Sequence, residues 1–254
     1  MTAIVAIALN TFREAIRDRI LYLILAFALV LIAVSHFVSL LTVGSEVKTV
    51  KDLGLSAISV FGLLTAVFVG VSLVFKEIER RTVYTLLAQP VRRWQFVCGK
   101  FVGLSFVLGA SVIVTGAALL IAVALKGESP VGLIPAIVLG FVELELIAAF
   151  AVLFSSFTNP ILAAVGTVAT YVVGHLSWSF DLLEKRISGD VAKALCRGLH
   201  AVVPNLDRLN VKASAVHGVP LPPGYFVAAV GYGLFYALAI LILACLVFER
   251  REFV

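Results

Sequence analysis

The chain has 254 residues, of which 61% are hydrophobic and only 14% charged, and its formal net charge is +5. About a quarter of the residues of an average soluble domain are charged, so the composition excludes a soluble globular protein. It predicts an integral membrane protein. In that class an excess of basic residues reflects attraction to the anionic cytoplasmic leaflet, so we expect no nucleic-acid partner.

The three cysteines, Cys98, Cys196 and Cys245, have no paired spacing, and the spans predicted below place them at three different depths. The sequence therefore predicts no structural disulfide.

Residues 1–19 are less apolar than the stretch that follows them. Val5, Ala8, Phe12 and Ile16 recur about every four residues, with charged residues between them. Such a stripe is typical of a helix that lies in the membrane interface. The alternative is that this segment only extends the first span into water.

Six apolar runs of roughly 20 residues follow, each long enough to cross a bilayer as a helix. They cover residues 20–43, 54–75, 101–125, 132–157, 161–180 and 226–248. A turn around Asn159 and Pro160 separates the fourth run from the fifth, and five spans would result if that turn were only a kink. The sequence thus predicts an all-α, polytopic membrane protein with one transmembrane domain over residues 1–254.

Lysine and arginine counts predict the orientation. Eleven of the 20 basic residues lie in 1–19, in the loop 76–100 and at the C-terminus, whereas the short loops on the opposite side carry Lys48, Lys51 and Lys126. Both termini and the loop are therefore expected in the cytoplasm. The other six lie in residues 181–225, an outer segment whose apolar periodicity predicts amphipathic helices before the last span.

Small residues recur at a spacing of four in two spans. Gly62, Ala66 and Gly70 do so in the second span, and Gly99 and Gly103 at the start of the third. This spacing lets two helix backbones approach closely. The approach could serve packing within the chain or contact with a second chain, and the sequence does not separate the two.

Glu143 and Glu145 interrupt the fourth span, about 17 to 20 Å from its start at 1.5 Å per residue. Carboxylates at such depth are costly and usually functional. Residues two apart diverge by about 200° around a helix, so these two do not form one carboxylate pair. Each could line a polar route or handle a proton. Alternatively, each is a protonated or hydrogen-bonded carboxyl packed against Ser, Thr or Tyr of neighbouring helices.

The sequence gives little sign of metal or enzyme chemistry. Cys196 and His200 stand four residues apart in the outer segment and His217 follows, which makes them weak candidates for soft-metal ligands. No G-x-x-x-x-G-K-[ST] run, G-x-S-x-G or H-E-x-x-H occurs. We therefore expect no catalytic residue, bound metal or cofactor in this chain, and an ATPase, if one powers it, would be another chain.

The loop 76–100, called the docking stretch below, contains a short amphipathic pattern. Val83, Leu86 and Leu87 fall at i, i+3 and i+4, and Pro90 follows. Because proline disfavours helical geometry in the residue before it, a helix here must stop early. The sequence predicts a helix of about two turns facing the cytosol.

At these residues the sequence resembles the permease subunits of ABC-2 type exporters. Their second and third spans are joined by a pattern like E-x-x-R-x-T-x-x-x-L-L-x-x-P-x-x-R-x-x-x-x-x-G-K, which is matched here by Glu77, Arg80, Thr82, Leu86, Leu87, Pro90, Arg93, Gly99 and Lys100. The resemblance extends over the whole chain, from NTFREAIRDR near the start to FERREF at the end. It looks closest to the branch of multicopper-enzyme maturation permeases.

The resemblance implies that residues 82–88 form a coupling helix seated in a separate cytoplasmic ATPase, which binds ATP and Mg²⁺. It also implies a second permease chain, forming a homodimer, in the lipid of the bacterial cytoplasmic (inner) membrane, with a periplasmic accessory protein as a possible further partner. The implied ATPase-docking residues are Glu79, Arg80, Arg81, Thr82, Val83, Thr85, Leu86, Leu87, Pro90 and Arg93.

Two other functions compete with this one. The first is an ion-coupled secondary carrier that uses Glu143 or Glu145. The second is a structural anchor that recruits cytosolic proteins through its basic loop.

Overall fold

The computed structural model describes residues 3–42, 45–79, 92–176 and 203–250, with side chains described up to residue 72 in the second range. Over these residues the chain is helical and has no strand, which confirms the all-α prediction. Short 3-10 turns occur at Pro130–Leu133 and Leu206–Arg208. The helices are α1 (Ala3–Ile16), α2 (Arg19–Ser39), α3 (Glu46–Glu79), α4 (Arg93–Ala124), α5 (Ile134–Phe157), α6 (Pro160–His175), α7 (Lys212–His217) and α8 (Tyr225–Arg250).

Five helical segments of the described chain are long and apolar enough to cross a membrane, and they coincide with five of the six predicted spans. The predicted fifth span corresponds to α6, which is apolar but has only 16 residues. At 1.5 Å per residue it covers about 24 Å, less than the hydrocarbon core of about 30 Å. Residues 177–180 of that predicted span lie outside the described part.

The turn between α5 and α6 separates two helices and is not a kink. The Asn159 side chain accepts a hydrogen bond from the Leu162 amide at 2.9 Å, and Pro160 occupies the first position of α6. An N-cap acceptor followed by proline is a strong helix start. The five-span alternative, which required a continuous helix here, is therefore wrong on this point.

Helix α3 begins at Glu46, eight residues before the predicted start of the second span. Lys48 and Lys51 consequently lie on its first turns and not in a loop. Two ion pairs join these turns to the residues after α4: Lys51 Nζ to Glu128 Oε1 at 2.6 Å, and Lys126 Nζ to Glu46 Oε2 at 3.0 Å. We call this the Glu46 end of the bundle.

At the opposite end, called the Arg93 end, the start of α4 meets the last turns of α8. Arg93 Nη1 donates to the Glu249 carbonyl oxygen at 3.0 Å, and the Phe96 and Phe248 rings stack at 5.7 Å. Cys98 Sγ lies 3.9 Å from Cys245 Sγ. These cysteines thus share one depth, contrary to expectation, because α4 begins eight residues before the predicted span and carries Cys98 to the level of α8.

Helix α1 packs against the first half of α4 through small residues. Its packed face consists of Ala8, Thr11 and Ala15, each at most 2% exposed, whereas Val5 and Ile16 of the predicted stripe remain outside the contact. The glycines of α4 make room for it: a methyl group added at Gly103 would lie 2.5 Å from Thr11 Cβ and 2.8 Å from the Ala8 carbonyl oxygen. The close approach here occurs within the chain.

Helix α5 is the centre of the bundle, since almost every residue from Val142 to Leu153 is buried. It packs against α3, α4, α6 and α8. The small residues of α3 receive it: Leu144 fills the space beside Gly62, and Ala151 Cβ would lie 3.2 Å from a methyl group at Gly70. Both predicted glycine stripes therefore serve packing within the chain.

Replacing Gly103 with alanine should weaken the α1 contact. The new methyl group overlaps Thr11 and the Ala8 carbonyl, so we expect a loss of about 1 to 3 kcal/mol, seen as a lower melting temperature of the purified chain in detergent. Gly109→Ala is the control on the same helix. Its methyl group would meet Phe141 at 3.7 Å, an ordinary contact. Equal melting temperatures for the two variants would contradict the α1 position.

Oxidation should join α4 to α8 through Cys98 and Cys245. Their sulfur atoms need to approach by only about 2 Å to form a disulfide. Copper phenanthroline treatment should therefore yield a disulfide-linked pair of peptides, one with each cysteine, detected by mass spectrometry. Cys98→Ser removes the link. If both thiols react with maleimide and no linked peptide forms, the helix contact at the Arg93 end is wrong.

Candidate functional site

Residues 76–79 of the docking stretch form the end of α3 and residues 93–100 form the start of α4, so only residues 80–92 lie between the two helices. Most of the predicted docking residues lie outside the described part of the chain. They are Arg80, Arg81, Thr82, Val83, Thr85, Leu86, Leu87 and Pro90. The structure therefore describes the two helices that carry the predicted coupling helix, and not that helix itself.

The return of the docking stretch into α4 is held by polar contacts. The Gln95 side chain accepts from the Arg92 amide at 3.0 Å, and Arg93 binds the last turn of α8. Lys100, the last residue of the family pattern, is only 2% exposed, and its Nζ lies 5.7 Å from the Phe96 ring centroid. Arg93 thus fastens the start of α4 to α8, whereas the contact of Lys100 with Phe96 lies within α4. The sequence pattern did not indicate either role.

Glu145 faces α4. The Ser105 hydroxyl oxygen lies 2.5 Å from Glu145 Oε2 and 3.1 Å from the Phe101 carbonyl oxygen. The other carboxyl oxygen, Oε1, has no hydrogen-bond partner among the described residues. Glu145 therefore matches the alternative in which a buried carboxyl is hydrogen-bonded to a serine of the neighbouring helix.

Glu143 faces α6 instead, as the divergence of about 200° between the two positions requires. It is 1% exposed, and its Oε1 lies 3.4 Å from His175 Nε2. None of these atoms, including Glu143 Oε2, has a partner with hydrogen-bond geometry in the described part of the chain. Burial of a carboxyl without such partners is expensive, so this contact is the strongest polar anomaly of the bundle.

The outer segment folds back into the Glu46 end, over this contact. Leu206 is fully buried and fills the space beside Gly174, while Leu209 packs beside Gly233 of α8. The Asn205 backbone amide donates to Tyr232 Oη at 2.9 Å. We call residues 203–217 the plug. Because its leucines need glycines on α6 and α8, the plug is a packed part of the bundle.

Two tyrosines of α8 make additional contacts with the plug. Tyr225 Oη donates to the Arg208 carbonyl at 2.9 Å, and the Arg208 guanidinium lies 5.4 Å from the Tyr232 ring centroid. A cation over an aromatic face is an attractive contact.

Lys212 brings a positive charge from the plug to the buried carboxylate. Burial lowers the pKa of Lys212, and the nearby charges of Glu143 and Asp52 oppose that shift. The predicted spans contain no lysine or arginine at the depth of Glu143. The positive charge that acts on Glu143 comes instead from the outer segment, through Lys212.

His175 is not among the predicted site residues, although the sequence carries a signal for its position. Glu143 precedes Asn159 by 16 residues, and His175 follows it by 16. Two antiparallel helices joined at a tight turn bring such positions level. The pairing of Glu143 with His175 can therefore be inferred from their equal distances to the turn, without reference to their depth in the bilayer.

Two of the three weak metal candidates lie outside the described part of the chain, so their arrangement with the third is not described. Cys196 and His200 lie outside the described part, and His217 is exposed at the end of α7. Within the described residues no group of three His, Cys, Asp or Glu side chains could hold a metal ion.

Two serines of α4 test the Glu145 contact. Ser105→Ala removes a hydroxyl that contacts a buried carboxyl, and we expect a loss of about 1 to 3 kcal/mol in stability. Ser111 is the matched control, since it is buried and its hydroxyl donates to Val107 O within the helix. Ser111→Ala should lower the melting temperature less. If the two variants melt together, Ser105 contributes nothing to Glu145.

Comparison with known proteins gives the class of the chain. A family model described as ABC-2 family transporter protein matches residues 5–253, nearly the whole chain. A search of curated proteins returns no match. The match includes α1, the docking stretch, the plug and α8, so it concerns the whole architecture and not a single motif. The chain therefore belongs to the ABC-2 transporter family and is a multi-pass permease subunit of a transporter.

Proposed function

We propose that the chain moves its substrate outward through the bacterial inner membrane, driven by a separate ATPase that docks on residues 76–100. The observation that carries this proposal is the length of α3. It has 34 residues, or about 51 Å at 1.5 Å per residue, which exceeds the full bilayer thickness of about 40 to 45 Å. Its apolar run ends at Phe75, so its last turn, residues 76–79, leads beyond the apolar part toward residues 80–92.

The Arg93 end is the cytoplasmic side in this proposal. Arg92 and Arg93 at the start of α4 lie at this end with Arg250 of α8, and Arg93 contacts the Glu249 carbonyl oxygen there. At the Glu46 end, Lys51 and Lys126 are both paired with glutamates. The unequal positive charge favours the Arg93 end in the cytoplasm. Both termini then lie inside, and the plug lies on the outer side.

A force on the docking stretch would reach most of the bundle. The stretch joins α3 directly to α4, α1 packs on the first half of α4 at Gly99 and Gly103, and Arg93 ties the same turns to α8. Packed cores move as discrete elements and do not deform continuously. Closure of the ATPase would therefore shift α1, α3 and α4 as one group.

The remaining partners follow from the same proposal. ATP and Mg²⁺ are bound by the ATPase, and a second copy of this chain completes the translocation route. Large apolar side chains of α2, α6 and α8 point out of the bundle, including Phe27, Ile161 and Phe235. Lipid and the second copy share these faces. An accessory protein on the outer side would meet the plug. The maturation-permease branch stays a prediction, since the family match does not reach it.

The double substitution Leu86→Asp and Leu87→Asp should uncouple the permease from its ATPase. Two carboxylates replace the apolar face of the predicted coupling helix, so we expect loss of ATPase co-purification and of ATP-dependent transport in proteoliposomes. The matched control is Leu40→Asp with Leu41→Asp, an adjacent leucine pair that is exposed after α2, on the proposed outer side. That variant should keep the ATPase.

Two results would contradict the proposal. One is that co-purification and ATP-dependent transport both survive in the docking variant. The other is transport by the purified chain alone, driven by a pH gradient, which is the behaviour of an ion-coupled carrier.

A further inference from the structure

The contact between Glu143 and His175 has a feature that the proposed transport function does not use. His175 Nδ1 lies 3.2 Å from the Tyr171 carbonyl oxygen. A carbonyl oxygen only accepts, so Nδ1 carries a proton. In the neutral ring, Nε2 then has a lone pair and no proton.

This tautomer leaves two acceptors facing each other. Glu143 Oε1 lies 3.4 Å from His175 Nε2, and an ionised carboxylate is also acceptor-only. Two acceptors repel at this distance, and weakly solvated surroundings strengthen the repulsion. One additional proton removes it, whether it sits on the carboxyl or makes the ring an imidazolium. One proton on the pair therefore replaces the repulsion across this 3.4 Å separation with an attraction.

The surroundings of the pair are closed by the plug. Gly174, the neighbour of His175, packs against Leu206 and the Pro204 carbonyl oxygen. Two charges of the described elements act on the pair. Lys212 of α7 acts on both members, and Asp207 of the plug acts on His175. Asp52 of α3 acts on Lys212. Tyr171 lies beside the imidazole, with ring centroids 4.5 Å apart.

We propose that Glu143 and His175 form a proton-binding site at the seam between α5 and α6, and that the bound proton holds these helices together beneath the plug. Loss of the proton leaves two facing acceptors and loosens α6, together with the plug that packs on it. The ligand is a proton. No cavity is needed for it, and Glu145 takes no part because it faces Ser105 on the other side of α5.

The sign of the pH dependence follows from the separated groups. An isolated glutamate and an isolated histidine are both deprotonated above about pH 6.5, whereas the folded pair keeps one proton there. Unfolding then releases a proton, and stability falls as the pH rises. Lys212 acts in the opposite direction, because the lowered pKa of a buried lysine makes stability rise with pH. Its contribution is common to the wild type and Glu145→Gln, but it is larger in Glu143→Gln, where the carboxylate that opposes the shift is gone. The infrared measurement below therefore separates the pair from Lys212.

The test is the melting temperature of the full chain in detergent between about pH 6.5 and 8.5. This range lies above the pKa of an isolated histidine. The wild type should lose about 3 to 5 °C per pH unit, the value for one proton released on unfolding. Glu143→Gln should lose far less, since its amide donates to Nε2 without a bound proton. Glu145→Gln, on the same helix, is the matched control and should follow the wild type.

Infrared spectra provide a second measurement that does not depend on how well a variant folds. Between the two ends of this pH range the wild-type spectrum should change at a protonated carboxyl or an imidazolium band, and the change should be lost in Glu143→Gln and kept in Glu145→Gln. Equal pH slopes for the wild type and Glu143→Gln, or an infrared change that survives in Glu143→Gln, would overturn the proposal. Both measurements use the chain alone, so their outcome is independent of the ATPase docking.

Discussion

The enclosure of α5 is the constraint on which the rest of the structure depends. In a bilayer, lipid tails are as apolar as leucine, so helices gain little from hiding apolar surface and must instead pack closely. Gly62 and Gly70 of α3 receive Leu144 and Ala151 of α5, and Gly233 of α8 receives Val142. These approaches surround the middle of α5 with protein. Only such surroundings allow two glutamates to lie there without facing lipid.

The two carboxylates of α5 contact two different neighbouring helices. Glu145 joins α5 to α4 through Ser105, and Glu143 joins α5 to α6 through His175. The first contact uses a neutral hydroxyl, which can donate to a carboxylate or accept from a carboxylic acid. It therefore persists in either charge state of Glu145. The second involves two titratable groups and a lysine from the plug. The seam beneath the plug is thus the one whose strength depends on protons.

The sequence predicted the parts of this fold that hydropathy and local chemistry determine. Apolar runs located the long helices, and Asn159 with Pro160 marked a true helix start. The boundaries of α3 and α4 could not be predicted, because hydropathy ends a span at its first charges, whereas both helices begin with charged turns. These turns make tertiary contacts, Lys51 with Glu128 and Arg93 with the Glu249 carbonyl oxygen. The electrostatic effect of Lys212 on the pair was also out of reach, since it requires a segment that folds back onto the bundle.

The site was predictable only where local sequence determines it. The amphipathic face of the docking stretch is encoded locally by Val83, Leu86 and Leu87. His175, by contrast, looks like a lone residue near the end of a span until its distance from the turn is compared with that of Glu143. Symmetry about a tight turn is thus a better guide to helix pairing than depth measured from the membrane surface.

The seat of α1 on α4 has a consequence for how the protein is made. Thr11 packs against Gly103, and 92 residues separate them in the chain. At about 5 to 20 residues per second, the ribosome needs roughly 5 to 20 s to synthesise that interval. During this time α1 has no partner helix and must wait at the membrane surface. Val5 and Ile16, which stay outside the finished contact, are suited to hold it there. The first helix to be synthesised therefore reaches its final position only after the fourth has been made.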